Sequence, residues 1–291
     1  MDFPFGEIVT NPPPNVAPPE SWPEFGDSAY PPPFCAKELV GTNPQGVRWA
    51  LWPVCFEQYY GDQEPTLEES AKGVLARNRE IIWKRTTRTD VPKGWRVRGS
   101  QPWRIDGFVV LTPDYQNTWK SDAKRNLHTW QKKFLGTRYR IDEVSLDEFV
   151  AAYKKSLTRT KIGLDLLNAL VRKFSIPEVR EHITLWGVRD IATNAIVAGT
   201  AAFYFPKRSA TVRECPFILP EARKTYAMTG LMDHWFKESL RRGITTHLFT
   251  HFWHPGASKG WVGFSEFKSH FGLQYVAYPP ELSRFVRGKL L

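Results

Sequence analysis

Apolar residues recur along this chain with two periods, and each period predicts a different element. Spacing of three and four residues marks amphipathic helices, while alternation or short apolar runs mark strands. In the N-terminal part, VRWALWPVCF over Val47–Phe56 predicts a strand, with Pro53 near an edge or bulge. Residues Thr66–Ile82 predict a helix: Thr66 offers an N-cap, Glu68 and Glu69 suit the first turn, and Leu67, Val74, Ile81 and Ile82 share a face. GFVVLTP over Gly107–Pro113 predicts a second strand. Lys120–Phe134 predicts a basic helix ended by Gly136.

The pattern is clearer further along. A strand is expected over Tyr139–Val144. Ser145 follows as an N-cap, and Glu148 completes a capping box for a helix with Leu146, Phe149, Val150 and Tyr153 on one side. Another helix is expected over Leu164–Phe174, with Pro177 beyond its end. Three strands then follow, Ile183–Arg189, Ile196–Phe205 and Ala210–Phe217, joined by the turns DIATNA and Pro206–Ser209. A helix over Tyr226–Arg241, closed by Gly243, leads to a strand at Ile244–Trp253. A short helix at Gly260–His270 and a last strand at Gln274–Tyr278 complete the order. Helices and strands in this order predict a mixed α/β sheet.

Residues 1–34 stand apart. Their prolines block helix and sheet hydrogen bonding, so an extended arm is expected, lying across the domain as a strap or trailing as a tail. The 291 residues suit one large domain or two fused smaller ones. The division expected is an arm at 1–34, an N-terminal half at 35–118 and a C-terminal half at 119–291. A net charge of +10 implies an anionic partner, whether nucleic acid, a nucleotide-linked precursor, a CoA thioester or an acidic membrane surface. Three cysteines without a CxxC pair argue against a disulfide framework and fit a reducing cytoplasm. No signal peptide and no transmembrane helix are expected.

Four segments carry a resemblance: Ser121–Leu127 with Lys124 and Arg125, followed by Lys132, Lys133, Gly136 and the strand TRYRIDEV; SLDEFVAAYKKSLTRTKIG from Ser145; LMDHWFKESLRRGITTHLF from Leu231; and GFSEFKSHFG from Gly263. Together, over roughly Lys120–Tyr278, they resemble the FemAB group of N-acyltransferases, and the element order is similar to the GNAT fold. The resemblance implies a GNAT-like α/β acyltransferase, with a reduced N-terminal GNAT-like half. It further implies transfer of an aminoacyl or acyl group to an amine, with cell-wall or polysaccharide biosynthesis as the setting, and no permanently bound cofactor. The donor it implies is an aminoacyl-tRNA, an acyl-CoA or an acyl carrier, and the acceptor an amine, a UDP-linked precursor among the candidates. Peripheral membrane contact is compatible with the charge.

The resemblance places Lys268 at the acyl-transfer site, where a lysine can stabilise an oxyanion or bind a donor phosphate, with Phe267 walling the acyl channel. The alternative is a surface lysine after a core phenylalanine. Lys124 and Arg125 form an anion-binding pair or a solvated helix face, and Arg159 and Lys161 raise the same choice. Arg223–Gly230 occupies the place of the GNAT pyrophosphate loop, where backbone amides at a helix N-terminus cradle phosphate. Tyr226 and Met228 stand at its two small positions. This departure speaks against ordinary CoA binding, although Arg223, Lys224 and Tyr226 still offer a donor site. His247 and His251 are expected on one face of a strand, with His254 just beyond. His251 is a candidate base, and no carboxylate or cysteine completes a metal set. Glu214 and Asp233 are further candidates, and Cys215 is expected to be a buried thiol. Two other readings are an acetyl-CoA-dependent GNAT acetyltransferase, which the altered loop opposes, and a non-enzymatic RNA-binding protein, which no RNA-binding motif supports.

Overall fold

The computed structural model describes residues 3–25, 34–35, 40–42, 48–50, 55–60, 62–65, 79–98, 104–156, 158, 160–255 and 259–286. Its strands are β1 (Phe34–Cys35), β2 (Val40–Thr42), β3 (Arg48–Ala50), β4 (Cys55–Tyr60), β5 (Arg79–Lys84), β6 (Arg96–Val97), β7 (Arg104–Val110), β8 (Tyr139–Glu143), β9 (Ile183–Asp190), β10 (Ile196–Phe205), β11 (Ala210–Ile218), β12 (Thr246–Phe249), β13 (Gln274–Tyr278) and β14 (Leu282–Val286). The helices are α1 (Ser121–Lys133), α2 (Leu146–Lys155), α3 (Lys161–Phe174), α4 (Pro177–Arg180), α5 (Ala227–Arg241) and α6 (Val262–Lys268).

A seven-stranded sheet in the order β13-β7-β12-β11-β10-β9-β8 organises the molecule. Successive side chains of its strands enter opposite core layers. Ala202 and Tyr204 of β10 pack with α1 and α5 on one side, whereas Ala201, Phe203 and Phe205 pack with α2 and α3 on the other. The strands β8 to β11 form an antiparallel meander. Helix α5 then crosses over, and β12 returns parallel to β11. A second sheet has the order β1-β4-β5-β14-β6. The two halves drawn at residue 118 exchange strands: β7 lies inside the large sheet, and the C-terminal β14 lies inside the small one.

The expected helix over Thr66–Ile82 is corrected where it is described. Ile81 and Ile82 belong to β5, which pairs with both β4 and β14. Both isoleucines are buried, as a strand covered on both faces requires. Residues 66–78 lie outside the described residues, as do Leu51–Val54 of the expected strand Val47–Phe56, whose ends fall in β3 and β4. The strand expected at Gly107 begins at Arg104, because Arg104 and Asp106 enter the ladder opposite Tyr278 and Val276. The strand expected over Ile244–Trp253 stops at Phe249. Pro177 opens the short helix α4.

Other local expectations hold. Ser145 and Glu148 form a reciprocal capping box. Gly136 sits at a φ of 77°, the left-handed turn that ends α1.

The N-terminal arm is a strap, described over residues 3–25. Ile8 bridges to Tyr275 of the edge strand β13, and the Val9 amide donates to the Tyr275 carbonyl over 2.8 Å. Phe3 is buried in the layer of α1 and α5, while Val16, Trp22 and Phe25 are buried in the opposite layer. The strap therefore rounds the β13 edge and covers an edge that would otherwise be open. Among the described residues, no helix is long and apolar enough to cross a membrane.

Candidate active site

The parallel ladder between β11 and β12 is only three pairs long, from Ala210 with Thr246 to Val212 with Leu248. Beyond it the strands part. Strand β11 then carries an irregularity opposite Gly199–Ala201, where Cys215 has a φ of 48°. After β12 the chain turns through His251, at a φ of 59°. Left-handed backbone at non-glycine residues is costly, and it collects at functional sites.

Lys268, the last residue of α6, reaches into this opening. Its Nζ donates to the Thr250 carbonyl over 2.7 Å and lies 3.3 Å from the His251 carbonyl oxygen. Desolvation, reinforced by the positive charge of Arg213, lowers its pKa to about 7. Arg213 directly follows Val212, the last residue of β11 that pairs with β12. Burial lowers its pKa to about 10, and its Nη1 is buried without a hydrogen-bond partner. It lies over the face of Trp235, 6.0 Å from the ring centroid. Two cations thus stand at the parting of the strands, a geometry suited to a negative charge.

His251 is held from beneath. Its backbone amide donates to Asp106 Oδ1 over 2.8 Å, and Asp106 is bound through both oxygens to Arg104 at 3.0 and 2.8 Å. Arg104 also pairs with Glu20 of the strap at 3.0 Å. The other Glu20 oxygen faces His251 Nε2 at 3.6 Å. Burial alone would raise the Glu20 pKa, but Arg104 and His251 hold the carboxyl well below its ordinary range. The His251 side chain remains 48% exposed.

The segment Arg223–Gly230, expected from the sequence to be a donor loop, lies at the start of α5. Tyr226, at a φ of 61°, begins the helix without a side-chain cap, and Tyr226, Arg223 and Lys224 are exposed. Gly230 has a packing role: a Cβ there would lie 2.3 Å from Trp130 Nε1 of α1.

The remaining candidates divide. Phe267 is half-buried, its ring 5.1 Å from that of Phe271. Lys124 and Arg125 stay on the exposed side of α1, where Lys124 caps the Asn117 carbonyl and Arg125 pairs with Asp122. Arg159 lies outside the described residues. His247 does not share a strand face with His251: β12 ends between them, and the ring of His247 is fully buried between Trp235 and Phe236. Burial pushes the His247 pKa well below the usual range. Asp233 accepts from Tyr115, Gln116 and Lys237, a structural set. Glu214 pairs with the buried Lys173. Cys215 is buried, and desolvation raises its pKa. Among the described residues, no group of three or more His, Cys, Asp or Glu side chains could hold a metal ion.

Arg213, Asp106, Arg104 and Glu20 were not singled out from the sequence. The available signals were a charged pair at the start of a strand, in Arg104 and Asp106, and an arginine inside an apolar strand.

A meander, a helical crossover and a parallel strand that parts from its neighbour follow the element order expected of a GNAT-like fold. No protein-family model and no curated protein matches the chain in sequence. In three dimensions it is similar to the crystal structure of FemX, with a TM-score of 0.54 over 72% of each chain at 9% identity. It is also similar to the C-terminal DUF2156 domain of a putative lysylphosphatidylglycerol synthetase from Agrobacterium fabrum, with a TM-score of 0.50 over 84% of this chain and 82% of that one at 13% identity. At such identities the shared feature is the fold.

Proposed function

We propose that the protein is a FemAB-like N-acyltransferase that moves an acyl or aminoacyl group onto an amine. The observation that carries this reading is the Arg213–Lys268 cation pair where β11 and β12 part. In acyl transfer the acceptor amine must lose a proton, its nitrogen bonds to the donor carbonyl carbon, and the carbonyl oxygen becomes an anion. Lys268 and Arg213 stabilise that oxyanion. His251 accepts the proton from the amine and returns it to the leaving oxygen or sulfur, which departs with its electron pair as the carbonyl re-forms. The products are an amide and a protonated leaving group. Phe267 walls the acyl channel. The exposed cations Arg223 and Lys224, beside Tyr226, greet the donor, and the basic α1, with Lys124 and Arg125, widens the surface for a polyanion.

The donor proposed is an aminoacyl-tRNA, because Tyr226 stands where a CoA pyrophosphate loop needs a small residue. The acceptor proposed is a UDP-linked amine in cell-wall biosynthesis, in the cytoplasm. A thermal-shift panel of acetyl-CoA, long-chain acyl-CoA, aminoacyl-tRNA and UDP-linked wall precursors tests this, since a ligand of the folded state raises Tm by mass action. A shift with charged tRNA or the precursor, followed by turnover, supports the proposal. A shift with CoA compounds alone replaces it with an acetyltransferase. Equal binding of charged and uncharged tRNA without turnover replaces it with an RNA-binding protein.

A further inference from the structure

The strap does more than cover apolar surface. Its anchors are largely apolar: Phe3 against Tyr275 with ring centroids 4.8 Å apart, Trp22 against Phe205 at 5.2 Å, and Phe25 against Phe203 at 4.9 Å. Asn15 adds a hydrogen bond to Thr246 Oγ1 at 2.7 Å. Between these anchors the strap buries one carboxylate, Glu20, to 9% exposure. Burying a charge is expensive unless it is paired, and an apolar residue would have closed the surface at lower cost. Arg104 alone does not explain Glu20, because Asp106 already binds that guanidinium through both oxygens. The oxygen of Glu20 that Arg104 does not take is the one facing the imidazole.

We propose that the proline-rich strap is a working part of the site, delivering Glu20 as the positioning residue that orients the His251 ring. Glu20 directs Nε2–H toward the carboxylate and leaves Nδ1 free to accept the proton of the acceptor amine; this last role rests on the acyl-transfer reading. Among the described residues, the charged groups around the Glu20–His251 pair come from four elements: Glu20 from the strap, Arg104 and Asp106 from β7, Lys84 from β5 and Lys268 from α6. Among the described residues, Glu20 is the acidic side chain that meets the ring itself, since Asp106 meets the His251 backbone. Proline on both sides of the segment (Pro18, Pro19 and Pro23) narrows the conformations available to the free strap and lowers the entropy lost on seating Glu20.

The test is the tautomer of His251 in the full chain, read from two-bond proton–nitrogen spectra at pH 9, above the ordinary imidazole range. The signal is assigned by its loss in His251→Asn. The wild-type ring should be predominantly the Nε2–H tautomer, and Glu20→Gln should convert it to a mixture. Glu24→Gln, which breaks the strap's pair with Arg208 instead, should leave the pattern as in the wild type. An unchanged pattern in Glu20→Gln overturns the proposal, as does an equal change in Glu24→Gln. If Glu20→Gln does not fold, Glu20→Asp keeps a charge for Arg104 and withdraws the carboxylate from the ring. It should move the pattern in the same direction, and no movement there also overturns the proposal. The spectra need no substrate. A tautomer that depends on Glu20 in a protein without transferase activity would sink the acyl-transfer reading and leave the positioning of His251 standing.

Discussion

Lys268 Nζ donates to the carbonyl oxygen of Thr250 over 2.7 Å, tying the end of α6 to the chain just beyond β12. The hydrogen bond holds a lysine in place where desolvation brings its pKa to about 7. The same lysine is therefore fixed in position and poised between two charge states.

If Lys268 acts as a cation, Lys268→Ala should lower kcat about 10²–10³-fold, the usual effect of losing one oxyanion donor. Wild-type turnover should also decline as pH rises through about 7, where Lys268 loses its proton. Lys268→Arg keeps its charge and should remove that decline. Steady-state rates across pH 6–9 check both, and an alkaline limb that persists in Lys268→Arg assigns it to another group.

The same shift makes folding depend on pH. The folded-state pKa of Lys268, about 7, is below the ordinary lysine value of 10.5, so the unfolded chain binds more protons between those values. Stability contributed by this site should rise with pH from about 7 to 10.5 and level off above. Urea titrations of the wild type against Lys268→Met should diverge across that window, with the variant relatively more stable at its acidic end.

Among the described residues, Arg213 has no carboxylate partner, and its Nη1 is buried without a hydrogen bond. Arg213→Met should raise Tm by roughly 2–4 °C, as about 1 kcal/mol does in a chain of this size, while lowering transfer activity. Calorimetry and a transfer assay on the same sample decide it; a drop in Tm would mean that the arginine is structural.

Gly230 and Gly263 make a contrasting pair. A Cβ at Gly230 would lie 2.3 Å from Trp130, whereas a Cβ at Gly263 would meet nothing within 4 Å. Gly230→Ala should cost about 1–3 kcal/mol through overpacking. Gly263→Ala, within α6, should be neutral or stabilising by up to about 1 kcal/mol. Denaturant midpoints separate the two.

Acid should loosen the strap. The pKa of Glu20 is well below its ordinary 4.5, so its stabilising contribution is present above that value and is lost as pH falls toward the folded-state pKa. Pepsin cleavage within residues 3–25 should accelerate between pH 4.5 and 3 in the wild type. In Glu20→Gln, cleavage should already be fast at pH 4.5.

The sequence by itself determined what neighbouring residues settle among themselves. The Ser145–Glu148 capping box, the turn at Gly136, the strands β9 to β11 and helix α5 follow from hydrogen bonds and periodicities that close within a few residues. The GNAT-like order was legible for that reason, and Lys268 was singled out through a resemblance in motif. Tertiary structure decided the rest. Ile81 and Ile82 carry no local mark that distinguishes strand from helix, and pairing with β4 and β14 makes the choice. His251 left the expected strand because its amide bonds to Asp106 of β7. Arg213 gained its meaning only where two strands part, and Glu20 only where the strap crosses Arg104. Charges act through space, so a site built from residues far apart along the chain is set by packing rather than by local pattern.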